Sequence, residues 1–162
     1  MGPSDYIKAM MNLHQDAIPG RWPVETNSVA PHKPLLLVSV FDEFIENPRK
    51  PNAIEPTLQI EERFDHYWER IIKPAHKTTM ALPFFHLKND GFWHLAAKPG
   101  KEAVLLSPVE VNRSTAVLRQ VVKEARLDAE LHALLGATEW AHHLRSIVIA
   151  SHFSPELHKS FF

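Results

Sequence analysis

Apolar and polar positions along the chain alternate with helical period over most of its length. Tyr6, Met10, Leu13 and Ala17 recur three or four residues apart behind Ser4, which predicts a first helix with Ser4 as its N-cap, closed at Ile18-Pro19-Gly20. The stretch from Arg21 to Pro31 has prolines, Asn27 and Ser28 and no period, so it is expected to be a long functional loop. Pro34 suits the first position of a helix, and Leu35 to Ile45 is apolar nearly all round, as a buried central helix would be. Thr57 is placed to cap a further helix whose broad apolar face is Leu58, Ile60, Phe64, Tyr67, Trp68, Ile71 and Ile72. The period then changes. Aromatic-rich runs in "LPFFHLKNDGFWHLAAK" flank Asn89-Asp90-Gly91, which predicts a β-hairpin, with a short strand at Val104 to Leu106. Helices are expected again over Ser114 to Ala125, Asp128 to Leu135 and Thr138 to Phe153, broken at Gly136. The fold class read from this order is α+β, a mostly helical single domain over 1–162 with a small antiparallel β-hairpin or sheet.

Composition narrows the picture. At 162 residues and 44% hydrophobic, the chain can bury one useful core. Cysteine is absent, which removes disulfides and thiolate metal sites and suits a cytoplasmic location. No apolar run reaches the roughly 18 residues of a membrane span, so no membrane partner is expected. The ending "SPELHKSFF" carries no nuclease, and the chain is expected to be a piece of a longer protein.

A formal net charge of -1 argues against nucleic acid, but the charges are segregated. Lys73, Lys77, Lys88, Lys98 and Lys101 cluster with His76, His86 and His94, whereas Asp42, Glu43, Glu46, Glu55, Glu61 and Glu62 lie elsewhere. Catalytic signatures are missing: no nucleophile elbow, no H-E-x-x-H and no glycine-rich phosphate loop. Glu139 and His142 share a helix face without a second such motif. His86 and His94 would face each other only across a hairpin loop of three residues. A metal-dependent nuclease built on those groups is the competing reading, and a protein-interaction domain is another. The favoured one is a binding module with no catalytic residues, no cofactor and no metal.

The stretch "VAPHKPLLLVSVFDEF" places His32 and Lys33 between Pro31 and Pro34 at the mouth of the buried helix. His32 is expected at N′ and Lys33 at the N-cap, beside free N–H groups and the positive end of the macrodipole, which together favour an anion such as phosphate.

These residues, with "LPFFHLKNDGFWHL" downstream, resemble the sulfur-binding domain of type IV restriction endonucleases that attack phosphorothioate-modified DNA. The likeness runs from Tyr6 to about Leu106. It implies a module that binds duplex DNA carrying a phosphorothioate and directs a linked HNH nuclease in the parent protein. It also implies a sulfur cavity formed by His32, Lys33, Leu82, Pro83 and His86. Leu82 stands where the family pattern has an aromatic, and His86 where it has a small residue, so the pocket is expected to differ in shape. Phosphate contacts are assigned to Arg21, Lys33, His76, Lys77 and Lys88, because cations position a duplex. Base reading is assigned to Asn27, Ser28, Asn89 and Asp90, which carry groove-edge donors and acceptors. Trp68, Phe64, Phe84, Trp93 and Trp140 are assigned to the core, and Trp22 is left open.

Overall fold

The computed structural model describes residues 1–72, 78–106, 111–112 and 114–162. Helix α1 spans Pro3–Met11, with Gly2 rather than Ser4 as its N-cap. It ends earlier than its apolar spacing predicts, at Asn12, whose side-chain amide donates to Lys8 O at 2.8 Å. Leu13 is still buried beyond the helix, which is why the pattern did not reveal the break. The following segment holds a short 3₁₀ turn at Val24–Thr26.

Helix α2, His32–Glu46, is the central element: Leu35, Leu36, Val38, Val40 and Phe44 are fully buried. It starts earlier than expected, with Pro31 as N-cap, so His32 and Lys33 are its first residues rather than its N′ and N-cap positions. Pro34 then sits in the first turn, where its N–H would have had no intrahelical acceptor, so the earlier start costs nothing. Ser39 Oγ donates to Leu35 O at 2.8 Å, which satisfies a buried hydroxyl inside this apolar helix. Helix α3, Leu58–Ile71, begins as predicted at Thr57, whose hydroxyl accepts from Ile60 N–H at 3.2 Å.

The expected hairpin is not formed. Residues Ala81–His86 are helix α4, extended by a 3₁₀ turn at Leu87–Asp90. Phe84 and Phe85 are both fully buried, which consecutive residues of a half-buried strand cannot achieve. Gly91, at φ 90°, terminates this helical stretch instead of turning a hairpin. Strand β1, Trp93–Ala97, is fixed to α4 by the Trp93 indole N–H donating to Phe84 O at 2.9 Å.

Helix α5, Glu102–Leu105, occupies the place of the expected strand at Val104 to Leu106. Helix α6, Thr115–Val121, is shorter than predicted, because Val122–Leu127 forms strand β2, the antiparallel partner of β1. The register pairs Trp93 with Leu127 and Leu95 with Ala125, and Ile54 bridges Ala125 from the other side. Helices α7, Ala129–Leu135, and α8, Thr138–His152, complete the fold, followed by a 3₁₀ segment at Pro155–Phe161.

Helix α2 packs chiefly on α8, with α3 and α4 also against it, and one continuous core joins all of them. Trp68, Phe64, Phe84 and Trp93 belong to that core as expected, and Trp140 packs half-buried against it. The fold is α+β and mostly helical with a small antiparallel sheet. Among the described residues no helix is long and apolar enough to cross a membrane.

Candidate functional site: a cleft at the head of the central helix

The first turn of α2, the segment between α1 and α2, and one face of α4 enclose a cleft of about 460 Å³. Arg21, His32, Lys33, Leu82, Pro83, His86 and Asn89 from the sequence reading all line it, beside His14, Gln15, Asp16, Trp22, Ala30 and Thr78. Short-range logic explains the α4 side. Helical spacing puts Leu82, Pro83 and His86 on one face, with Pro83 buried and Leu82 and His86 half-exposed. Pro83 is tolerated because it lies in the first turn.

The opposite wall is organised by Asp16. Its carboxylate accepts from Trp22 Nε1 at 3.0 Å, Ile18 N–H at 3.0 Å and Arg21 Nη1 at 2.9 Å. The bond from Trp22, then the one from Ile18, and the Arg21 charge hold its carboxyl below the usual range. Ala30 N–H donates to Asp16 O at 2.7 Å, and Gln15 Nε2 donates to Ala30 O at 2.7 Å, so this segment is cross-tied without regular structure. The indole of Trp22 meets the His32 ring edge-on at 5.3 Å, and His32 lies 4.6 Å from the Trp68 ring. Aromatic contacts therefore set the orientation of His32 at the helix tip.

Lys33 is not a solvated base. Its side chain is 9% exposed, and Nζ donates to Asp90 Oδ2 at 2.6 Å. Asp90, expected to read bases, has a side chain only 2% exposed. Its other oxygen accepts from His14 N–H at 2.8 Å and lies 3.1 Å from His14 Nδ1. The carboxylate thus points inward as a partner for Lys33. The 3₁₀ turn after α4 puts it there.

His86 Nε2 lies 2.8 Å from Asn112 Nδ2, so the ring nitrogen accepts from the amide and the imidazole is neutral. Burial first, then the nearby charges of Lys33 and Lys88, hold its pKa below the ordinary histidine value.

Other expected residues lie outside the cleft. Lys88 is exposed, with its ammonium 4.1 Å from the centroid of the Phe85 ring. Asn27 and Ser28 have φ of 55° and 59°, and Asn27 Nδ2 donates to Ser151 O at 3.0 Å, which ties the loop to α8. His76 and Lys77 fall outside the described residues. His86 and His94 are not paired: His94 Nε2, on β1, is 2.6 Å from Oδ1 of Asp128, the N-cap of α7. Glu139 and His142 are exposed on α8. Among the described residues no group of three or more histidine or acidic side chains is arranged to hold a metal ion.

Sequence reasoning missed the Asp16 wall and the Lys33–Asp90 pair. Asn12, a residue that favours helix ends, was the available signal for the first, and nothing local marks the second.

The family model described as the ScoMcrA-like DNA sulfur-binding domain matches residues 21–162. A comparison with curated proteins finds no match.

Proposed function

The chain belongs to the ScoMcrA-like DNA sulfur-binding domain family, and from that premise we propose that its cleft receives one phosphorothioate of a DNA duplex. The sulfur sits against Leu82, Pro83 and the ring of His86, and the head of α2 with His32 and Lys33 faces the rest of the phosphate. The observation that carries this reading is the juxtaposition, in one cleft, of an apolar lip from α4 with the cationic first turn of a 15-residue helix.

Sulfur is larger and less strongly hydrated than the oxygen it replaces, so its desolvation against carbon costs less. An ordinary phosphate oxygen held against the carbons of Leu82 and Pro83 finds no donor there to replace its water. An unmet hydrogen bond of this kind costs about 1 to 3 kcal/mol, roughly tenfold to a hundredfold in affinity. The neutral imidazole of His86 fits the same logic, because a protonated ring would reward oxygen.

Affinity comes from phosphate contacts, for which Arg21, Lys88 and, from the sequence alone, His76 and Lys77 are the proposed groups. Asn89, exposed on the rim, is the best-placed base reader, and Asn27 and Ser28 would serve a more distant part of the duplex. The module has no catalytic role of its own and directs a linked nuclease domain in the cytoplasm.

The test is binding of duplexes identical except for one oxygen-to-sulfur exchange of natural stereochemistry, across a panel of flanking sequences. Tighter binding of a thio-substituted duplex is expected for at least one sequence, and equal binding throughout would overturn the reading.

A further inference from the structure

Basic side chains gather at the cleft, yet among the described residues its permanent cations are each held by a carboxylate. Arg21 pairs with Asp16 at 2.9 Å, with side chains 51% and 29% exposed, and Lys33 pairs with Asp90 at 2.6 Å, with side chains 9% and 2% exposed. Charge interactions strengthen as water is excluded. The deeper pair therefore sets the charge felt on the cleft floor. Asp90 cannot turn away from Lys33, because its second oxygen is held by the His14 N–H at 2.8 Å.

From this arrangement we infer that Asp90 is a specificity-determining residue: it restrains the charge of Lys33, so that an ordinary phosphate gains little at the cleft floor and the apolar lip decides. The inference rests on the reading of the cleft as a phosphorothioate site. An ammonium without a carboxylate partner forms strong charge-assisted hydrogen bonds to phosphate oxygen. Oxygen is a better acceptor than sulfur, so an unrestrained Lys33 would favour the native backbone. With Asp90 in place one N–H of Lys33 is already used and its charge is offset within contact distance. The remaining N–H groups can orient a phosphate without attracting every phosphate.

Asp90→Asn tests this, since the amide oxygen still accepts from Lys33 or from His14 while the negative charge is gone. The unmodified duplex is expected to bind about fivefold to tenfold more tightly, the difference between a charge-assisted and an ordinary hydrogen bond. The thio-substituted duplex should change less, so the preference for sulfur falls. The plot of log affinity against log salt for the unmodified duplex should steepen by about 0.9, one more phosphate neutralised. Parallel weakening of both duplexes with an unchanged slope would mean that Asp90 only supports the fold, and would overturn the inference.

If circular dichroism shows Asp90→Asn unfolded, the charge-free double variant Lys33→Gln/Asp90→Asn replaces it. That variant should weaken both duplexes, because the Lys33 contact is lost, but still bind the thio-substituted one more tightly, because no charge on the cleft floor is left to favour oxygen; loss of the preference would count against the inference. A wild-type protein without any preference for sulfur defeats the reading of the cleft itself. A wild type that discriminates, beside an Asp90→Asn protein with the same preference and slope, defeats only the role given to Asp90.

Discussion

Each end of the central helix carries a buried cation paired with an aspartate, and the two pairs are built differently. Near the C-terminal end, Arg145 Nε donates to Asp42 Oδ1 at 2.7 Å, and its Nη2 donates to the Tyr67 hydroxyl at 3.1 Å and to Phe161 O at 2.5 Å. Tyr67 in turn donates to Asp42, and the Phe162 ring lies 5.3 Å from the guanidinium. That charge is spent on protein partners and fastens the C-terminal segment to α2 and α3. At the N-terminal end, Lys33 has a carboxylate partner and lines an open cleft. A planar fork whose Nε and Nη2 are both engaged by protein groups holds a fold together, whereas a point charge with donors left over can meet a ligand. Burial alone does not separate structural from functional charge.

The largest expected effect breaks the structural pair. Arg145→Met leaves Asp42 without its cation and should lower unfolding free energy by about 3 to 5 kcal/mol in urea titrations. Protein kept folded at low temperature should retain its preference between duplexes. Next in size, Pro83→Asp places a carboxylate on the cleft lip. It should reduce the sulfur preference by about tenfold to a hundredfold, more than it lowers residual affinity in gel-shift titrations.

A smaller effect follows from pH. Burial holds both His86 and His152 below the ordinary histidine pKa, with Lys33 and Lys88 adding to the effect on His86. The folded state therefore resists protons that the unfolded state accepts. Their contribution to stability is complete above the ordinary value near 6.5 and is lost as pH falls through and below it. Stability measured by denaturant should drop from about pH 7.5 to pH 5.5. At lower pH still, as it falls through the depressed pKa of folded His86, protonation adds charge beside Lys33 and should erode the sulfur preference, and His86→Gln should flatten that erosion. The smallest effect is at the periphery. Lys88→Ala should weaken both duplexes alike and reduce the salt slope by about 0.9, leaving the preference intact.

The two ends of α2 also differ in how far they could be read in advance. His32 and Lys33 are neighbours at one helix start, so local sequence was enough to group them, whereas Leu82, Pro83 and His86 were grouped by the family resemblance, since spacing read their stretch as a strand. The pairing of Lys33 with Asp90 spans 57 residues, and no periodicity carries that information. Asn89-Asp90-Gly91 was ambiguous for a physical reason: a hairpin turn and a helix exit both need positive φ at glycine, and the structure uses the second. The β2 strand was hidden similarly. Val117, Leu118, Val121, Val122 and Ala125 satisfy helical spacing, yet the chain leaves the helix at Val121 and pairs with β1. Where one periodic apolar stretch makes one element, as in α2, α3 and α8, the pattern and the structure agree.

The account assigns attraction to charge and discrimination to carbon, and a salt titration of matched duplexes separates the two most directly. Affinities for the sulfur-bearing and the all-oxygen duplex are measured side by side as ionic strength rises. Both should fall steeply and in parallel, with their ratio constant and in favour of sulfur. A ratio that shrinks towards unity as salt is added would show that charge makes the distinction, and would contradict the account.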